Sequence, residues 1–139
     1  MYYKTYEVES FSKELLEATR ELGLNPTIDK IYDYVKFINK KFKIEGVELT
    51  LSYEDDNSRT SRGCYIDYSK EIRFYGTINL ITVLHEIRHY IQFNSLVKCL
   101  FVTYNQREEE ARGWSSSLFY ALYPDKYLEL SEQGKIKFI

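Results

Sequence analysis

His85-Glu86-Ile87-Arg88-His89 is the stretch that decides how this chain is read. It holds both histidines of the sequence, four residues apart, with a glutamate directly after the first. On a helix, positions i and i+4 share a face, so two imidazole nitrogens can reach one metal ion together. The intervening glutamate would stand beside that ion, where a general base for an attacking water belongs. Chance explains the pattern poorly. Two histidines with this spacing and a glutamate in that slot arise on the order of once in several hundred such chains. The motif predicts a helix carrying a zinc site, with His85 and His89 as ligands and Glu86 as base. The plainer reading is a helix with one packed and one solvated histidine.

Working outward, Gly76-Thr77 breaks a preceding strand and opens this helix. Leu80, Leu84, Ile87 and Ile91 form its apolar stripe, which puts both histidines at the edge of the buried face, a position that suits a cleft floor. Upstream, residues 64–68 and 71–75 read as a hairpin turning at Ser69-Lys70, without the favoured Asn-Gly chemistry. Residues 46–53 form a further strand with Val47, Leu49 and Leu51 on one side, and residues 54–63 form a polar loop. Two helices come first. Residues 10–22 carry Phe11, Leu15, Ala18 and Leu22 at helical spacing, with Gly23 as C-cap. Asn25-Pro26 starts the second, asparagine as cap and proline in the first turn. Its stripe is Ile28, Ile31, Val35, Ile38 and Phe42, and it ends near Lys43, where Lys40 and Lys41 complement the helix C-terminus. Downstream, Asn94-Ser95 relaxes the motif helix. A last helix spans about 105–122 and stops at Pro124, leaving 136–139 as a short strand or frayed end.

The 139 residues suffice for one domain with a core, and 44% of them are apolar. A net charge of −2 gives no reason to expect nucleic acid or an anionic membrane as partner. Cys64 and Cys99 form neither a metal-type pair nor a disulfide framework. With no signal-like leader and no membrane-length apolar run, a soluble cytoplasmic protein is expected.

Catalytic zinc sites normally take three protein ligands and a water, and this chain has no third histidine. Glu108-Glu109-Glu110-Ala111-Arg112, about twenty residues downstream on the next helix, offers a carboxylate. Successive helical side chains diverge by about 100°, so the three glutamates cannot all face one point. Glu108 lies one turn before Ala111 on the face that continues through Ser115, Leu118 and Leu122, and is the first choice. Glu110 is the reserve and Glu109 the least favoured. Read alone, the run is a solvated acidic first turn. Cys64 offers a further route, as a thiolate blocking the metal, against the plainer reading of a half-buried cysteine.

A His-Glu-x-x-His helix followed by a Glu-x-x-Ala helix resembles the gluzincin clan of zinc metallopeptidases. The pattern is closest to the compact minigluzincins and is also similar to ImmA/IrrE-type peptidases. The likeness covers roughly residues 26–122 and is specific at His85, Glu86, His89, Glu108 and Ala111. It implies an α+β, zincin-like single domain over 1–139, with residues 123–139 as a tail. Amino-terminal helices, a small three-stranded mostly antiparallel sheet, the active-site helix and a glutamate helix would follow in order. It also implies peptide-bond hydrolysis with one catalytic zinc ion and a peptide or protein substrate, with a terminal segment able to inhibit the site. Two departures stand out. Arg112 occupies the place where many members carry Asp or Asn, and Arg88, which would have to point to solvent, replaces a small residue. The hairpin would offer a strand edge to substrate, with Tyr68, Phe74 and Tyr75 shaping the cleft or packing the sheet. Two rival readings remain: a zinc hydrolase of a non-peptide substrate, and a non-catalytic interaction or regulatory module with structural or no metal.

Overall fold

Two short polar side chains start the amino-terminal helices. Ser12 accepts the backbone N–H of Leu15 and caps α1 (Lys13–Leu22); Thr27 accepts that of Lys30 and caps α2 (Ile28–Lys41). The cap of α2 is therefore not Asn25. That side chain donates to the carbonyl of Ile78 at 3.2 Å and ties the α1–α2 connection to the loop before the motif helix. Leu15 and Leu22 of α1 and Ile31, Tyr34, Val35 and Ile38 of α2 are buried, as amphipathic surface helices require.

This computed structural model describes residues 2–3 and 10–137, and the fold is α+β. Phe138 and Ile139, the end of the expected tail strand, lie outside the described residues. The sheet contains β2 (Thr50–Glu54), β3 (Gly63–Ile66) and β4 (Glu71–Tyr75) in the order β2-β4-β3. It is mixed: β3 and β4 form the anticipated antiparallel hairpin, while β2 runs parallel to β4. Ile72 and Phe74 of the central strand are wholly buried, each worth roughly 1.5–3 kcal/mol of burial. Asp67 secures the hairpin turn. Its carbonyl accepts the N–H of Lys70, which is left-handed at φ 51°, and its carboxylate accepts from the Tyr65 hydroxyl and the Lys70 ammonium. Because β4 takes the centre, β3 is an edge strand and pairs with no strand but β4 among the described residues.

The motif helix α3 (Leu80–Asn94) begins later than Gly76-Thr77, at the cap Asn79, which accepts the N–H of Thr82. Gly76 instead supplies a left-handed turn at φ 68° after β4. From Thr82 through Gln92 every residue of α3 is buried, so the helix is a central one that meets solvent chiefly through a cleft. Such a helix must find partners for each polar side chain it carries. A short 3₁₀ turn (Leu96–Cys99) follows, then α4 (Tyr104–Leu122), capped by Thr103 and Gln106 in a reciprocal box. Pro124 ends α4 and also opens α5 (Pro124–Glu132), a helix within the expected tail. The two-residue strands β1 (Tyr2–Tyr3) and β5 (Ile136–Lys137) pair in parallel.

Candidate metal centre

α3 packs against α4, and their facing polar side chains converge. The Nε2 atoms of His85 and His89 lie 3.1 Å apart. Glu108 Oε1 is 2.8 Å from His89 Nε2, and Glu108 Oε2 is 3.4 Å from His85 Nε2. Among the described residues these three side chains form one group able to hold a metal ion, their donor atoms all within 4.8 Å of one another. Zinc–ligand bonds of 2.0–2.2 Å in a tetrahedron separate the ligand atoms by about 3.3–3.5 Å. The two imidazole nitrogens lie close to that spacing and Glu108 meets each of them with a different oxygen, so the donor set suits zinc in its chemistry.

The three consecutive glutamates diverge as helical geometry requires. Glu108 joins the histidines from the second turn of α4, not from a solvated first turn, and Glu109 is exposed. Glu110, the reserve ligand, is turned elsewhere. Its carboxylate accepts from Arg88 Nε at 2.8 and 3.2 Å and from Gln92 Nε2 at 2.8 Å. Arg88 does not point to solvent. It is buried, paired with Glu110, with its guanidinium carbon 4.9 Å from the centre of the Trp114 ring.

Gln92 links this ion pair to the metal group. Its amide nitrogen also donates to the carbonyl of Arg107 at 3.0 Å, which leaves its oxygen facing His89 Nδ1 at 2.9 Å. An oxygen there requires a proton on Nδ1, so the Nε2 of neutral His89 carries the lone pair a metal needs. The sequence alone assigns Gln92 no part in this group. Its signal was the i, i+3 spacing from His89 on one helix face.

Glu86 is buried beside His85, and burial raises its pKa, partly offset by the two imidazoles. The Tyr65 backbone, from β3, also favours its charged form. The strand can come this close because residue 63 is glycine. A Cβ there would lie 3.0 Å from Thr82 Cγ2 and 3.3 Å from Glu86 Cγ. Hydrogen bonds from both imidazoles pull the Glu108 pKa far below the usual carboxylate value. For His89, burial pulls down, but the Glu108 and Gln92 hydrogen bonds and the Glu86 charge outweigh it, and the net shift is upward.

His85, Glu86, His89 and Glu108 line an open cleft of about 1200 Å³ that also takes in Gly63 and Tyr65 of β3. Tyr68, Phe74 and Tyr75 do not line it: Phe74 and Tyr75 pack into the sheet, and Tyr68 is exposed in the turn. Cys64 lies on the cleft wall with its sulfur 3.8 Å from the Tyr75 hydroxyl, outside the metal-type group. Arg112 Nη2 is 3.6 Å from Glu108 Oε2, so the ligand carboxylate here has a cation one turn on. No protein-family model, curated protein or solved structure matches the chain. Among the described residues, no helix is long and apolar enough to cross a membrane.

Proposed function

We propose that the chain is a zinc-dependent metallopeptidase, with His85, His89 and Glu108 as metal ligands and Glu86 as general base. The observation that carries this reading is the meeting of two imidazole Nε2 atoms and one carboxylate on the wall of an open cleft. Structural zinc sites are closed by four protein ligands, whereas three donors facing a cleft leave a position for chemistry. That distinction favours the catalytic reading over a module with a structural ion. Zinc in such a set supplies Lewis acidity toward a carbonyl and lowers the pKa of a water toward neutrality.

Glu86 takes the proton of the attacking water at a carboxylate oxygen and returns it to the leaving amine. Its raised pKa suits both halves of that transfer. Gln92 holds the His89 ring in the tautomer that directs Nε2 to the metal. β3 is an edge strand beside Glu86, pairing with no strand but β4 among the described residues, and main-chain pairing there with an extended peptide favours a peptide over a small non-peptide substrate.

The test compares the parent with Glu86→Gln on a mixed peptide pool, with zinc content measured in both. The variant should keep its zinc while hydrolysis falls by about 10²–10⁴-fold. Undiminished hydrolysis in the zinc-loaded variant would remove Glu86 from the chemistry, and a zinc-free parent would remove the site.

A further inference from the structure

Among the described residues, six side chains of Asp, Glu, Lys or Arg type line the cleft, and two of them are Glu108 of the metal group and its neighbour Glu86. The other four, Arg62, Arg112, Lys126 and Lys135, are all cations, in a chain whose net charge is −2. They come from separate parts of the fold: the loop entering β3, α4, α5 and the segment after α5. Concentrating one sign of charge in a recess raises the local concentration of ligands of the opposite sign.

Two of these cations are without an ion pair among the described residues and two are paired. Among the described residues, Arg62 and Lys135 have no carboxylate partner, and Arg62 reaches only the Asn57 amide oxygen, at 3.5 Å. Lys126 pairs with Glu129 at 3.3 Å, but the two side chains are 43% and 54% exposed, a screened contact that another carboxylate can replace. Arg112, beside Glu108, brings a guanidinium to the metal end of the cleft. Leu24, Phe93, Tyr104 and Phe119 also line the recess. Discrete cations set among apolar side chains suit carboxylates on a peptide better than the continuous charge of a nucleic-acid strand.

We propose that the cleft takes acidic peptides, with Arg62, Arg112, Lys126 and Lys135 binding carboxylates that flank the segment presented to the metal group. The fate of the peptide rests on the peptidase reading; its recognition does not. Guanidinium groups grip a carboxylate through paired N–H donors and the lysines act as point charges, so amide analogues bind more weakly.

The experiment uses the full chain as zinc-loaded Glu86→Gln and follows fluorescence anisotropy of end-blocked peptides carrying Glu, Gln or Lys at alternate positions. At low salt the Glu peptide should bind about tenfold tighter than the Gln peptide, with the Lys peptide weakest. At about 1 M salt, where the screening length is about 3 Å, the gap should nearly close. Arg62→Glu combined with Lys135→Glu should abolish the preference, and the milder Arg62→Gln with Lys135→Gln should reduce it. A Gln peptide with a free carboxyl terminus separates the two sources of carboxylate, side chain and chain end. Equal binding of Glu and Gln peptides, a preference untouched by charge reversal, or equal binding of an oligothymidylate would each overturn the proposal. If the acidic peptide is preferred but the parent hydrolyses nothing, recognition stands and the peptidase reading falls. If the parent cleaves Glu and Gln peptides with equal kcat/KM, the peptidase reading stands and the acidic preference falls.

Discussion

Glu108 and Glu110 leave α4 two residues apart and meet opposite fates. Glu108 keeps 19% of its side chain exposed and turns its carboxylate to both imidazoles on the cleft wall. Glu110 is 5% exposed and spends its oxygens on Arg88 and Gln92 inside the α3–α4 interface. Both act on His89, Glu108 at Nε2 directly and Glu110 at Nδ1 through Gln92. One helix thus holds the same ring by its two nitrogens. The difference teaches that partner and burial, not residue type, separate a candidate ligand from an anchor. A carboxylate committed to a buried guanidinium fixes how two helices meet, and its partly exposed neighbour faces the imidazoles of the proposed metal group.

The comparison breaks first at Glu108. Glu108→Ala should lower zinc affinity by on the order of a thousandfold, read by competition with a chromophoric chelator, because one of three ligands is gone. An equal loss in Glu110→Gln, with its folding intact, would exchange the two roles. Instead Glu110→Gln should act on stability. It leaves the Arg88 charge buried without its counter-ion, at a cost of about 3–5 kcal/mol by urea unfolding. Replacing the pair together, as Arg88→Met with Glu110→Leu, should recover most of that loss.

Gln92→Leu sharpens the comparison at the link between the two carboxylates. It removes the acceptor at His89 Nδ1 and should weaken zinc binding by about tenfold to a hundredfold, less than loss of Glu108. Affinity equal to the parent's would mean that the ring needs no such support.

The smallest expected effect is a pH profile. In chelated protein the His89 pKa is raised from its ordinary 6.5 and the Glu108 pKa is lowered from 4.5. The raised group stabilises the fold below pH 6.5 and loses its contribution as pH rises through the folded value. The depressed group stabilises above pH 4.5 and loses its contribution as pH falls through the folded value. Tm of the chelated protein should therefore peak between these limits and decline toward alkaline pH. The zinc-loaded protein should gain stability over the same rise, because protons compete with the metal. A flat chelated profile would dissolve the ion pair.

Local signals made much of this fold legible. The α1 and α2 stripes repeat at helical spacing and face the core, and the β3–β4 hairpin follows from its alternating pattern. The meeting of these three side chains was legible too, because His85 and His89 share a helix and Glu108 shares a face with Ala111, Ser115, Leu118 and Leu122. What sequence concealed depended on tertiary partners. Thr82 through Gln92 of α3 are all buried, so its polar residues carry no periodic signal of which face meets which helix. Arg88 reads as a solvent residue until Glu110, twenty-two positions away, is brought against it. The parallel β2–β4 ladder follows from β4 taking the centre of the sheet, and Pro124 gave a stop signal that was equally a start.

The central claim is an ion held jointly by α3 and α4, and zinc-edge X-ray absorption on the purified chain tests it most directly. The account predicts one zinc per chain with two imidazole nitrogens and a carboxylate oxygen at about 2.0–2.2 Å. A chain without stoichiometric zinc, or a zinc environment that His89→Ala and Glu108→Ala leave unchanged, would contradict it.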